Sequence, residues 1–389
     1  MTDTTAALPT AAPATLRQRA WHALRPVLPA LTAFYAVQVV SYVVIALVAD
    51  RAGVSFTELV GSYDVHWYAE IAEHGYRQDV LLDADGNPEP VSLAFFPLLP
   101  ALASVFGLFG MPAAAALLLV SLLAGGVAAW GLHVFGTRLG GPRVGNLMAV
   151  LWAVAPGAIV LRMGYSESLF VAIAVWTLLA LERRQWVAAG GLTLFAGLSR
   201  STAVALIAAV GVAALIAIAR RRDGWRPWAA ALLAPLGLAA YLLYVAWRGG
   251  RLDAWFWIQE HAWHMGFDGG ELTWITLGRV VSGDEPMWSV ILAAVVVVSV
   301  GLLVASWFVR SIPLPAHVYT AAMMASALGT GAFWNCRARF LLPAITLAVP
   351  VAFLLARVPR WVSAVVLSLA CVAGAWWGAY LLAYAELNP

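Results

Sequence analysis

The chain has 389 residues, of which 62% are hydrophobic and only 11% are charged. Soluble domains carry charge on roughly a quarter of their residues, so this composition excludes an ordinary soluble protein and predicts a polytopic membrane protein. The net charge of +3 is small and gives no indication of a nucleic-acid partner. Cys336 and Cys371 stand in or beside apolar runs without metal-ligand spacing, so neither a disulfide framework nor a zinc site is predicted.

Residues 1–26 are rich in Ala, Thr and Pro, which predicts a disordered cytoplasmic tail ahead of a single transmembrane domain over 27–389. Apolar segments then recur that can cross about 30 Å of hydrocarbon. The predicted fold class is therefore all-α. The segments are 28–49, 112–136, 144–161, 166–182, 201–219, 228–247, 287–309, 315–333, 340–356 and 361–384, with shorter pieces at 95–110 and 186–199.

Arginine placement sets the predicted orientation, because basic residues favour the cytoplasmic side. A consistent topology requires 186–199 to cross and 95–110, which contains Pro97 and Pro100, to insert only part of the way. This gives about eleven spans, a cytoplasmic N-terminus and an external C-terminus. The arginines assigned to the cytoplasm are Arg17, Arg19, Arg25, Arg138, Arg143, Arg183, Arg184, Arg220, Arg221, Arg222, Arg226, Arg310, Arg357 and Arg360.

Two long external loops, 50–94 and 248–286, hold most of the acidic residues and are predicted to form the polar working face. Acidic residues have little influence on membrane topology, so a topology signal does not explain why they concentrate in these loops. No internal repeat of the transporter type is visible, which counts against a secondary transporter.

The first loop contains Tyr63-Asp64 at the start of an amphipathic stretch that also holds His66, Trp67 and Tyr68. One interpretation is a surface helix with Asp64 as its N-cap. The other is a carboxylate held at the boundary between lipid and water for chemistry on a lipid-linked polar substrate.

Glu167 follows Tyr165-Ser166 at the outer junction of two predicted spans, with Arg162 just before it. Ser166 and Glu167 are a common pair for capping the next helix. Alternatively, Glu167 orients a sugar hydroxyl or an arginine.

Arg162, Arg200, Arg337 and Arg339 all fall at the predicted external depth. A guanidinium matches a phosphate in both geometry and charge, so these residues are candidates for binding a phosphate. Snorkelling towards lipid headgroups is the alternative for each of them.

The second loop carries an aromatic run that includes His261 and His264, from Trp255 to His264. Indole and imidazole groups can stack on a sugar and donate hydrogen bonds, and they also make ordinary interfacial belts. His261 and His264 are three residues apart, with Glu260 nearby, and could contribute two histidine ligands to a metal site. No third ligand is identifiable from the sequence, so no metal or other cofactor is predicted.

Several of these motifs together resemble the PIG-V-type mannosyltransferases, that is, GPI mannosyltransferase II and its prokaryotic relatives. The likeness covers residues 60–205 in family order and then thins to one late element. Tyr63 stands where the family commonly has Trp. The matching motifs are Tyr63-Asp64, Trp67-Tyr68, Ile71-Ala72, His74-Gly75-Tyr76, Ala94-Phe95-Phe96-Pro97 with Pro100, Tyr165 to Phe170, Ala196 to Arg200, and Arg337 to Pro343.

The resemblance implies a GT-C membrane glycosyltransferase that takes mannose from polyprenyl-phosphate-mannose on the extracytoplasmic face. Asp64 is expected to act as the base of an inverting transfer, while Arg200, with Arg337 or Arg339 and with Arg162 nearby, holds the donor phosphate. The acceptor is expected to be a lipid-linked glycan or protein, in a membrane that the composition suggests is bacterial. The other residues expected to contact substrate are His66, Trp67, Tyr68, Phe96, Tyr165, Glu167, His261 and His264.

Two alternatives stay open at this point. One is a GT-C transferase of another lipid-linked sugar, and the other is a non-enzymatic lipid or polyisoprenoid transporter. The oligomeric state is not predicted.

Overall fold

The computed structural model describes residues 25–76, 80–385 and 387. This described part is helical and contains no β-strand, only single bridges from Leu82 to Pro88 and from Phe267 to Thr330. Most of the predicted tail, residues 1–24, lies outside the described residues. The helices are α1 (Leu28–Ala52), α2 (Phe56–Val60), α3 (Asp64–His74), α4 (Leu98–Gly107), α5 (Ala113–Gly140), α6 (Pro142–Ala153), α7 (Glu167–Glu182), α8 (Trp186–Gly197), α9 (Val204–Ala219), α10 (Arg226–Leu233), α11 (Leu236–Gly249), α12 (Ala254–His261), α13 (Glu271–Ser282), α14 (Met287–Trp307), α15 (Leu314–Leu328), α16 (Arg337–Leu341), α17 (Ala348–Arg357) and α18 (Arg360–Ala383).

Six helices in the described residues are long and apolar enough to cross a membrane, or seven if one bent pair forms a single span. They coincide with predicted apolar segments, so the prediction of an all-α integral membrane protein is confirmed. Helices α6, α7, α8 and α15 have 12 to 16 residues, below the roughly 20 that a straight crossing needs. The number of eleven spans therefore stays a prediction. The six are Leu28–Ala52, Ala113–Gly140, Ser201–Ala219, Arg226–Gly249, Met287–Trp307 and Arg360–Ala383.

Two segments that were predicted as continuous helices are broken. Helix α6 ends at Ala153, and after Pro156-Gly157 the chain forms a short 3-10 turn, Ala158–Arg162, so the prediction of one helix over 144–161 is wrong in its second half. The segment predicted at 340–356 belongs to a pair of helices, Trp334–Leu341 and Ile345–Arg357, that meet at 76°. Pro343 lies at that bend and cannot donate the backbone hydrogen bond that a continuous helix requires.

The two long loops contain helices that lie beside the bundle. In the first loop, α3 buries Val65, Tyr68 and Ile71 against α4 and α5 and exposes His66 and His74. It is amphipathic, as predicted. The second loop contributes α12 and α13.

The bundle core is built around α5, which packs against α6 and α7, while α9 packs against α15 and α1 against α18. The short helix α16 is wedged between α14 and α15. This arrangement brings the N-termini of α3 and α7, the start of the helix at Ser201, and α16 to a common cavity.

The backbone of α16 rests directly on Gly157. Gly157 has a φ of +80°, and a Cβ built there would lie 2.5 Å from the carbonyl carbon of Ala338 and 2.6 Å from the nitrogen of Arg339. No side chain fits this contact. The turn after α6 therefore fixes the position of the α16 backbone at Arg339.

Gly157→Ala is therefore expected to destabilise the protein by more than about 1 kcal/mol, because the left-handed backbone alone costs about 1–2 kcal/mol for an L-residue. The measurement is the thermal midpoint of the purified protein in nanodiscs. Gly211→Ala is the matched control, since Gly211 is in α9 and a Cβ there meets no atom within 4 Å. Equal midpoints for the two variants would refute the contact.

Candidate functional site

A cavity of about 190 Å³ opens where five separate parts of the chain meet. It is lined by residues of α3, of the segment 94–96, of 199–202, of the second loop at 255–265, and of 326–340. Ligand pockets that hold drug-sized molecules are typically about 300–1,000 Å³, so this one suits a smaller group. Its lining combines aromatic rings with a cluster of charged side chains.

Asp64 lies at the mouth of this cavity, at the first position of α3. The preceding residue, Tyr63, has a φ of +56°, a left-handed conformation that is rare for a bulky side chain. The Asp64 amide donates to the hydroxyl of Tyr165 at 3.3 Å. Its carboxylate does not cap the helix; Oδ2 instead accepts a hydrogen bond from Arg339.

Glu167 is completely buried and lies between two arginines. Its Oε1 accepts hydrogen bonds from Nε of Arg339 and contacts Arg200 at 2.6 Å. The structure therefore favours the prediction that Glu167 orients an arginine over the prediction that Ser166-Glu167 is a capping pair, because the Ser166 side chain makes no capping bond.

Ser166 instead bonds two residues that line the cavity. Its hydroxyl oxygen accepts from the Tyr68 hydroxyl at 3.1 Å and from Arg200 at 3.0 Å. Burial raises the pKa of Tyr68 to about 12, so the phenol stays protonated and acts as a donor at neutral pH. Tyr68 and Ser166 thus fix the orientation of Arg200.

The four charged groups alternate in sign along one chain of contacts: Arg200, Glu167, Arg339 and Asp64. Their charges sum to zero. Arg339 also lies over the ring of Tyr165, with 4.4 Å from its guanidinium carbon to the ring centroid. Such stacking adds to the ion pairs and holds the guanidinium plane in one direction.

Several polar groups in the cavity wall have no hydrogen-bond partner within the described residues. They are the hydroxyls of Ser199 and Thr202 and the indole N–H groups of Trp255 and Trp263. Each buried polar group of this kind costs about 1–3 kcal/mol if it stays unpaired. Each of the four can donate one hydrogen bond.

The structure does not bring Arg337 and Arg162 to this cavity. Arg337 is fully buried and donates to the backbone carbonyls of Ala327, at 2.8 Å, and Thr330. Arg162 donates to the carbonyls of Ala153, at 2.8 Å, and Ala158, and lines a separate small pocket. Both arginines hold irregular backbone together, and neither geometry supports the predicted contact with a donor phosphate.

Some of the predicted aromatic residues line the cavity, whereas the predicted histidines lie outside it. Tyr68 and Phe96 line the cavity, and Tyr165 lies behind Arg339. Trp67 packs face to face against Phe95, with ring centroids 5.9 Å apart. The histidines do not line the cavity: His66 faces an open groove on α3, and His261 bonds the Trp257 carbonyl at 3.1 Å. His264 lies in the loop after α12, with a φ of +51°.

The described residues contain no group of three or more His, Cys, Asp or Glu side chains placed to hold a metal ion. Within the cavity, an oxygen of each carboxylate is already bound by a guanidinium.

The four cavity residues with unpartnered polar groups were not among the predicted site residues. Ser199 and Thr202 flank Arg200 in the run Leu198-Ser199-Arg200-Ser201-Thr202, where only the arginine was singled out. Trp255 and Trp263 belong to the aromatic run of the second loop, where the histidines were preferred. The available signal was the density of hydroxyls and indoles beside a charged residue at the end of an apolar segment.

Solved structures share this fold. ArnT from Cupriavidus metallidurans, in a structure bound to undecaprenyl phosphate, matches with a TM-score of 0.54 at 17% identity, over 91% of this chain and 65% of its own. The oligosaccharyltransferase of Archaeoglobus fulgidus in the apo form matches with a TM-score of 0.52 at 15% identity, over 92% of this chain and 56% of its own. The oligosaccharyltransferase AglB of the same organism, in complex with an inhibitory peptide and a dolichol-phosphate, matches at 0.50 and 14% identity, over 90% and 56%.

The likeness defines the fold class. The described part of the chain has the all-helical GT-C fold, as predicted from the motifs. The chain spans 56–65% of the length of these solved proteins, so their activities do not transfer with the fold. No family model and no curated protein matches this chain in sequence.

Replacing Arg339 tests the ion-pair chain. Arg339→Met leaves Asp64 without its partner and Glu167 with one arginine, so we expect a loss of stability of about 3–5 kcal/mol, as for other broken buried ion pairs. Arg138→Met is the control, because Arg138 pairs with Glu182 at 2.7 Å but is more than one-third exposed. That change should cost at most about 1 kcal/mol. Thermal midpoints measure both variants, and similar small shifts would contradict a buried network.

Proposed function

We propose that this protein is a glycosyltransferase that moves a sugar from a polyprenyl-phosphate donor to an acceptor hydroxyl, with Asp64 as the general base. The observation that carries the proposal is that Asp64 and Arg200 line one cavity and each has unused hydrogen-bonding capacity there. Within the described residues, only Oδ2 of Asp64 is bonded, and only one guanidinium nitrogen of Arg200 has partners. A carboxylate oxygen of Asp64 and guanidinium donors of Arg200 are therefore both available to a substrate.

The chemistry requires these two groups at opposite ends of the reacting bond. The acceptor oxygen attacks the anomeric carbon, the bond from that carbon to the phosphate oxygen breaks, and the hydroxyl proton passes to Asp64. General-base catalysis of this kind typically contributes about 10²- to 10⁴-fold in rate. The phosphate leaves as an anion beside Arg200, so no separate acid is required.

The remaining charged residues position the reacting ones. Arg339 holds Asp64 by one oxygen and thereby turns the other towards the cavity, while Glu167 and Ser166 hold Arg200. The indole N–H groups of Trp255 and Trp263, unpaired within the described residues, are donors only, and sugar hydroxyl oxygens can accept hydrogen bonds from them. We propose no metal cofactor for this reaction.

A lipid phosphate is the proposed carrier because two solved proteins of this fold were captured with one, undecaprenyl phosphate in ArnT and dolichol-phosphate in AglB. Mannose is proposed as the sugar on the motif resemblance to PIG-V-type mannosyltransferases alone, and another lipid-linked sugar is the alternative. On the same resemblance we propose a site on the extracytoplasmic face, with a lipid-linked glycan or protein as acceptor. The composition suggests that the membrane is a bacterial plasma membrane.

The base assignment predicts that Asp64→Asn binds donor almost normally and loses at least about 100-fold in turnover, since an amide cannot take the proton. Sugar transfer by the purified protein in liposomes, with polyprenyl-phosphate-mannose and a glycolipid extract, measures turnover. Glu73→Gln is the control, because Glu73 is exposed on the same helix. Near-normal turnover of Asp64→Asn would remove Asp64 from the reaction. Donor binding without transfer by the wild type would favour another acceptor or the transporter alternative.

The phosphate assignment predicts that Arg200→Ala raises the donor KM more than the acceptor KM, because the lost guanidinium contacts only the donor. Arg279→Ala is the control, since Arg279 is exposed on α13 and its one carboxylate neighbour, Glu285, is 4.0 Å away. Kinetics with each substrate varied in turn measure the effect. A rise confined to the acceptor KM would move the phosphate site elsewhere.

A further inference from the structure

The charged network raises a problem for a leaving phosphate. Arg200 and Arg339 are already balanced by Glu167 and Asp64, so the network offers no net positive charge to a second anion. In the proposed transfer, the electron pair of the breaking carbon–oxygen bond goes to the phosphate, which changes from a diester with one negative charge to a monoester that gains another. The added charge therefore needs hydrogen-bond donors in addition to Arg200.

We propose that Ser199, Thr202 and the N-terminus of the helix that starts at Ser201 form a cradle for the leaving phosphate, with Arg200 as its one charged member. The inference rests on the proposed function and gives a role to Ser199 and Thr202, to which the motif resemblance and the fold comparison assign none. Each part of the cradle is uncharged except Arg200, so it stabilises the new charge without competing for the two carboxylates.

Two hydroxyl-bearing residues of the cavity wall, Ser199 and Thr202, are the first members of the cradle. Ser199 is 99% buried, lines the cavity, and its hydroxyl oxygen has no hydrogen-bond partner in the described chain. The hydroxyl of Thr202 is also buried, lines the same cavity and is likewise unpartnered there. A hydroxyl is both donor and acceptor, and a charged partner makes its hydrogen bond roughly twice as strong as a neutral one does.

The backbone supplies the second set of donors. Residues Ser201–Ala219 run as one helix of 19 residues, whose first turn is of the 3-10 type. Arg200 precedes it in an extended conformation, with φ −158° and ψ 152°. The first amides of a helix have no acceptor within the helix, and the peptide dipoles place partial positive charge there. A helix start of this kind, beside unpartnered hydroxyls and an arginine, is a site for a phosphate.

The cradle separates the two halves of the substrate. The phosphate lies at 199–202, and the sugar extends towards Asp64 and the indoles of Trp255 and Trp263, all of which line the same cavity. The stabilised species is the product, so the cradle matters most when the second negative charge has formed. Interactions that strengthen as the charge develops accelerate the transfer itself.

The test compares binding of polyprenyl phosphate with binding of the uncharged polyprenol, using purified protein in nanodiscs. Ser199→Ala and Thr202→Val should each weaken binding of polyprenyl phosphate about tenfold, equivalent to about 1.4 kcal/mol, and leave polyprenol binding unchanged. Thr202→Ser should restore the affinity, because it keeps the hydroxyl. Thr193→Val is the matched control: Thr193 is buried on the neighbouring helix α8, where its hydroxyl donates to its own helix at the Ala189 carbonyl, 2.8 Å away.

Each outcome decides a separate question. Unchanged phosphate affinity in both variants overturns the cradle and leaves the proposed function intact, provided that the wild type prefers the phosphate to polyprenol and transfers sugar. Equal losses for the phosphate and for polyprenol also overturn it, because they indicate general damage to the site. A wild type that does not distinguish the two lipids contradicts both the cradle and the proposed function.

Discussion

The guanidinium of Arg339 connects the parts of the chain on which the site depends. It bonds Asp64, 275 positions earlier in the sequence, and Glu167, 172 positions earlier, while its own backbone rests on the turn at Gly157. A buried arginine requires such partners, because a charge out of water without compensation costs several kcal/mol. One charge in the middle of a five-residue helix therefore helps to hold α3 in place, together with the packing of α3 against α4 and α5.

The network is useful because its members use only part of their capacity. A fully satisfied ion-pair chain would be a structural element without further function, whereas among the described residues one oxygen of Asp64 and most donors of Arg200 have no partner. Buried preorganised groups of this kind need little rearrangement when charge develops on a substrate. The unpartnered hydroxyls and indoles in the same wall extend this preorganisation around the cavity.

The sequence was informative where a short motif coincided with a helix start. Asp64, Glu167 and Arg200 stand at such positions and were singled out, and the all-α membrane class followed from apolar run lengths. The sequence could not separate Arg337 from Arg339, because which of two residues on one short helix faces the cavity depends on the bend at Pro343. It could not exclude Arg162 either, since that side chain turns back onto the carbonyls of Ala153 and Ala158, in a turn that periodicity predicted as helix.

The structure of the protein with polyprenyl phosphate bound, determined by electron cryomicroscopy in nanodiscs, would show where the phosphate binds. We predict that the phosphate lies against Arg200 at the start of the helix Ser201–Ala219, in the cavity that Asp64 lines, with the ion pair from Arg339 to Asp64 intact. A phosphate bound beside Arg162 or Arg337, outside that cavity, would contradict it.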